Sequence, residues 1–156
     1  MAGVAVGLAI EQAKDLLAKL AAGCPTVETV VVGGPRELPR TSSNVYLQST
    51  QSVTPLATRG TITMETFDLR LMIEATAKVK RDAADQAAGD RAQHDEVSAR
   101  RWSIANELAG AIGQNRRSLG AVDGDLLVTA EDSGFVDQLW VARAWCLVRC
   151  YSGPIR

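Results

Sequence analysis

Ten consecutive residues, Phe67 to Thr76, alternate in character. Phe67, Leu69, Leu71, Ile73 and Ala75 are apolar, while Asp68, Arg70, Met72, Glu74 and Thr76 between them are mostly polar. Successive side chains of an extended chain point to opposite sides, so this period of two predicts a strand with one buried face. Such a strand needs paired neighbours beside it and a second layer over its apolar face. Ile62 and Met64 have the opposite parity. A bulge near Glu65, or a change in what the strand packs against, reconciles them.

The partners are legible on both sides of that segment. Thr26 to Val32 is β-branched and stops at Gly33-Gly34-Pro35, which predicts a strand and a turn. Arg36 to Ser43 reads as an exposed connection, Asn44 to Thr50 as a short extended piece, and Gln51 to Gly60 as a loop. Near the end of the chain, Asp125 to Ala130 follows a turn at Asp123-Gly124, and Val136 to Tyr151 forms a long strand. Glu131-Asp132-Ser133-Gly134 reads as the turn between them, which implies an antiparallel pair.

Two helices supply the second layer. In residues 4–22, Ile10, Ala13, Leu17 and Leu20 follow helical spacing, Leu16 widens the stripe, and Gly23 and Pro25 provide the stop. From Glu96 to Ile112, Val97, Arg101, Ile104, Leu108 and Ile112 share a face, broadened by Trp102 and Ala105, and Gly113 ends it. Lys80 to Asp95 is either a mobile loop or an exposed lead-in to that helix. The fold class that covers every apolar face is α+β. We expect a mostly antiparallel sheet of four to five strands with two helices on one face, in a single domain over 1–156.

Charge and composition narrow the function classes. Lys and Arg total 17 against 18 Asp and Glu, so there is no bulk attraction for nucleic acid or an anionic membrane. No Lys or Arg precedes the apolar Gly3–Ile10 run, which reads as the start of a helix rather than a signal peptide. No apolar run approaches the ~18 residues of a membrane span. We expect no membrane partner and synthesis in the cytoplasm. Cys24, Cys146 and Cys150 are odd in number and lack a CxxC spacing. The last two, four apart in a strand, stand about 13 Å from each other and cannot pair. Buried, unreactive thiols are expected.

Catalytic constellations are hard to assemble from these residues. His94 is the one histidine and lies in a polar stretch beside Asp95 and Glu96. With three scattered thiols it does not make up a zinc site. The sequence has no GxGxxG, no GxxxxGK[ST], no GxSxG and no HExxH. We expect no enzyme, no cofactor and no metal. The doublets Arg100-Arg101 and Arg116-Arg117 read as solvated charges, with the Arg101 stem along the core and its head in water.

The last strand is more informative. Ala142, Ala144, Cys146, Val148 and Cys150 make a small apolar face, and Arg143, Trp145, Leu147, Arg149 and Tyr151 make the other, with Trp140 nearby. Arg, Trp and Tyr are the types enriched at protein interfaces. If the helices cover the small-residue side, then Trp140, Arg143, Trp145, Arg149 and Tyr151 form a subunit or partner surface. The competing expectation is that the first helix or the second strand covers this face within the monomer. On the interface reading, Arg143→Glu with Trp145→Ala leaves a folded but dissociated protein.

Together these features resemble the tail terminator proteins of long-tailed bacteriophages and the related head–tail joining, or neck, proteins. The resemblance rests on the opening amphipathic helix, the short strand Asn44-Val45-Tyr46-Leu47 and the long strand through Thr63–Ile73. It continues in the helix containing Ile104-Ala105-Asn106-Glu107-Leu108 and the closing hairpin to Val141-Ala142-Arg143-Ala144-Trp145. It is one of architecture, spread over most of the chain, with no single diagnostic motif and no catalytic residue to carry over. It implies a structural protein of the virion tail or neck. Copies of the chain would form a ring, commonly a hexamer, that caps the tail tube protein and meets the head-completion protein. Genomic DNA would pass through the lumen without sequence readout. The resemblance also suggests that Gln51–Gly60 and Lys80–Asp95 become ordered only on meeting the tube or neck. A neck adaptor between portal and tail remains the alternative. From another class, so does a small-ligand-binding α+β domain or enzyme active as a monomer.

Overall fold

The computed structural model describes residues 2–32, 42–48, 53–59, 62–80, 84–119, 126–136 and 138–152. For 2–9, 53–59, 62–66 and 151–152, the backbone alone is described. The elements run α1 (Ala2–Ala22), β1 (Thr29–Val32), β2 (Ser43–Leu47), β3 (Val53–Arg59), β4 (Ile62–Lys78), α2 (Gln86–Gln114), α3 (Arg116–Leu119), β5 (Leu127–Val136) and β6 (Leu139–Ser152). The alternating segment is the heart of β4, which extends past it in both directions.

The strands form one sheet in the order β1-β2-β4-β6-β5, with β3 paired to β4 off that path. Among the described strands only β1 and β2 pair parallel, so the sheet is mostly antiparallel and the fold class is the expected α+β. β2 and β3 lie one after the other along the same edge of β4, Ser43–Leu47 against Ala75–Leu71 and Val53–Arg59 against Phe67–Ile62. They act as one interrupted strand that turns back on itself between Arg59 and Ile62. The segment expected as a loop from Gln51 to Gly60 is therefore strand over Val53–Arg59, and its other residues lie outside those described. β4 itself runs without a bulge near Glu65, and the irregularity lies on the partner strand β3. There the register shifts between Pro55 and Ala57, while β4 stays in continuous register with β6 from Glu65 onward.

The closing hairpin also differs from expectation. Glu131, Asp132, Ser133 and Gly134 do not turn; they lie inside β5, paired to Ala144, Arg143, Ala142 and Val141. The reversal comes later, between Val136 and Leu139, where Gln138 adopts φ 64°. Polar residues of an exposed edge strand mimic a turn signal in sequence, because both are bathed in water. A shift between Val128 and Ala130 accommodates one extra residue in β5.

Both long helices cover the same face. Leu17 and Ala21 of α1 and Ile104, Leu108 and Ile112 of α2 bury against Val45, Leu47, Phe67, Leu69, Leu71 and Ile73, with Ala144, Cys146, Val148 and Cys150 beneath. Small residues on β6 let the helices approach, and branched residues on β4 fill the space. α2 begins ten residues earlier than the Glu96 start read from sequence. Asp85 caps it by accepting from Ala88 N at 3.2 Å. Most of the segment expected as a loop or lead-in is thus helix, and Gly113 lies within it. Gln93 fastens this early part to the end of β4, donating to the Lys78 carbonyl at 2.7 Å and accepting from Lys80 N at 3.1 Å.

The arginine doublet of α2 is not solvated as expected. Arg101 is buried, and its Nη1 donates to the Asp132 and Arg143 carbonyls at 3.0 and 3.1 Å. Arg100 donates to the Thr76 and Ser42 carbonyls at 2.9 and 3.2 Å. Neighbouring residues of one helix thus tie it to the β2–β4 and the β6–β5 halves of the sheet. Arg116 and Arg117 are exposed.

The three cysteines are buried and free, as expected. Burial pushes the Cys146 and Cys150 thiols up to about 12, helped by the nearby Glu131 and Asp68 carboxylates respectively, and raises Cys24. We predict that none of the three reacts quickly with a thiol reagent such as Ellman's reagent at pH 8, and that all three react after denaturation. The unfolded chain ionises near 9, below the folded thiols. Their contribution to stability is therefore complete below pH 9 and is lost as pH rises from there toward about 12, which alkaline denaturation midpoints will show.

Candidate functional site

The sheet face away from the helices carries three of the residues singled out on the last strand, Arg143, Trp145 and Arg149. Its side chains lie in cross-strand rows: Asn44, Glu74, Arg143 and Asp132; Tyr46, Met72 and Trp145; Arg70, Leu147 and Leu127; Asp68 and Arg149. Neither α1 nor α2 lies on this face, and β2 sits within the sheet rather than over it. The expectation that one of them covers Trp145 inside the monomer does not hold.

The first row is a buried polar network. Glu74 is fully buried, and its Oε1 accepts from Asn44 Nδ2 and Tyr46 Oη, each at 3.1 Å. Arg143 Nε donates to Glu74 Oε2 at 3.0 Å. A carboxylate in that position requires such partners, since burying it unpaired is prohibitive. Sequence alone did not mark Glu74, because a strand's polar face usually meets water; the signal was Asn44 and Tyr46 sharing its parity on the next strand. Arg149 Nε likewise donates to Asp68 Oδ1 at 3.0 Å. Both arginines offered as partner contacts are thus already engaged within the subunit. Arg143→Glu would set a second carboxylate beside Glu74, so the double substitution with Trp145→Ala would disturb the fold as well as any interface.

Next to this network, Gln48, Arg70, Thr129, Ala130, Trp145 and Leu147 line a hollow of about 430 Å³. Trp145 and Leu147 are half-buried, Arg70 is exposed, and Leu127 at the rim is 57% exposed. The row therefore presents apolar surface between basic groups. Tyr151 pairs with Thr66 at the far end of the sheet, and its side chain lies outside those described. Trp140 does not belong with this group. It has the parity of Ala142, faces α2, and packs with Ala75, Ala77, Ala142 and Val97. The structure thus brings Arg143, Trp145 and Arg149 to one face and removes Trp140 to the other.

The lone histidine is also on the helix side. His94 Nε2 is 2.8 Å from Ser133 Oγ, and its ring meets Trp140 edge-on at 6.1 Å. Asp95 Oδ1 is 3.9 Å from Nδ1, too far to hydrogen-bond and orient the imidazole, and Asp95 is exposed. The three do not form a nucleophilic triad. Among the described residues, no cluster of three or more His, Cys, Asp or Glu could hold a metal, and no helix is long and apolar enough to cross a membrane. No family model matches the chain, and no curated protein matches it.

Proposed function

We propose that this protein is a structural subunit of a phage virion. On this reading it forms a homo-oligomeric ring, a hexamer, at the head-proximal end of the tail, where it stops tail tube growth and presents the joining surface for the head. The observation that carries the reading is the open sheet face, where Trp145, Leu147 and the exposed Leu127 form an apolar strip flanked by Arg70 and Arg149. The supporting architecture is the helix-backed antiparallel sheet on which the resemblance rests. Work of this kind is done by shape. The partners are further copies of the chain, the tail tube protein and the head-completion protein, with the genome passing through the lumen held by no specific contact. A near-neutral chain suits a conduit that must release DNA.

Two experiments test this. Deleting the gene in a phage should give overlong or headless tails; leaking filled heads would instead point to a neck adaptor, and normal particles would refute both. In the purified protein, Leu127→Glu should leave a folded subunit with stability within about 0.5 kcal/mol of the parent, because an exposed side chain is replaced. Light scattering should show that the same substitution disperses the ring, since the apolar contact would then have to desolvate a new carboxylate. An unchanged oligomer would remove this face from the interface.

A further inference from the structure

On the helix-covered side of the sheet, between the first turns of α2 and the β5–β6 turn, lies a cleft of about 520 Å³ lined by Val79, Gln86, Asp90, Phe135 and Trp140. Two of its walls are aromatic. Phe135 and Trp140 meet edge to face, with ring centroids 5.6 Å apart, and Phe135 is 50% exposed. Asp90 supplies a carboxylate. Gln86 Nε2 donates to Asp90 Oδ1 at 2.8 Å and to the Lys80 carbonyl at 2.9 Å, so the acid is held in place. Among the described residues no cation pairs with Asp90.

These features select one ligand chemistry. Aromatic rings carry negative potential over their faces, and a carboxylate with no cationic partner among the described residues adds to it, so a cation is the ligand this lining favours. An anion is repelled by the same groups, and a neutral ligand gains at most a hydrogen bond from Asp90, without the charge pairing a cation adds. A hydrated metal ion is poorly served by one carboxylate, since calcium and magnesium take six or more oxygens. We propose that this cleft binds an organic cation, a guanidinium or alkylammonium group, with Phe135 and Trp140 as its walls and Asp90 as its counter-ion. The same chemistry serves a basic side chain of another polypeptide or a free small cation. The inference does not depend on the ring reading, because the cleft and the open sheet face lie on opposite sides of the sheet.

The test follows the three indole N–H signals of the full chain by NMR, with Trp140 assigned through Trp140→Phe. N-acetyl-arginine methylamide and tetramethylammonium chloride are titrated separately, with sodium chloride and tert-butyl alcohol as controls. At least one of the two cations should move the Trp140 signal saturably, and neither control should. A response to the arginine derivative alone assigns the site to a polypeptide side chain, and a response to tetramethylammonium assigns it to small cations. Asp90→Asn should keep a native spectrum and weaken binding roughly fivefold. No saturable shift with either cation, an equal shift with tert-butyl alcohol, or undiminished affinity in Asp90→Asn would overturn the proposal.

Discussion

Glu74→Ala should destabilise the fold by about 3–5 kcal/mol in urea denaturation, the largest effect expected of any polar substitution in this chain. The carboxylate is fully buried and accepts from Asn44, Tyr46 and Arg143. Its removal takes one acceptor each from Asn44 and Tyr46 and leaves the Arg143 guanidinium without its counter-charge. Against a typical total of about 5–15 kcal/mol, that loss takes a large share of the protein's stability. The effect should be strongly non-additive with Arg143→Ala, because each single change strands the other partner. Glu74→Leu combined with Arg143→Met should recover most of the loss, since an apolar pair of similar size needs no counter-charge. A cost below about 1 kcal/mol for Glu74→Ala would mean that water reaches this row.

Leu17→Ala should cost about 2–5 kcal/mol, through lost burial and the cavity left behind. Leu17 is fully buried in the cluster that joins α1 to α2 and the sheet. Leu16, next to it in sequence, is only half-buried, so Leu16→Ala should cost distinctly less. Thermal melts of the two variants measure whether α1 is an integral layer of the core. Equal costs would show that it is not.

How far the sequence carried depends on whether local pattern and tertiary burial agreed. Where they did, as in the odd positions of β4 and the Leu17 and Ile104–Leu108 stripes, face and layer were readable. β3 escaped because Pro55 and Gly60 resemble loop punctuation, whereas its strand character comes from pairing with β4. The early turns of α2 escaped because they bury little; they are held by the Asp85 cap and by Gln93. On β6, residue parity separated the two faces correctly for Arg143, Trp145 and Arg149. Trp140 is close to that face in sequence, but its parity places it with Ala142 on the helix side. The ion pairs of Arg143 and Arg149 were hidden for a different reason: their acids lie on another strand, and only the β4–β6 register brings them opposite.

The mass and symmetry of the purified protein test the central claim most directly. Native mass spectrometry with negative-stain imaging, alone and with tail tube protein, should show a closed ring. Six copies of a 16.6 kDa chain make about 100 kDa. A particle that stays at 16.6 kDa under both conditions would contradict the account.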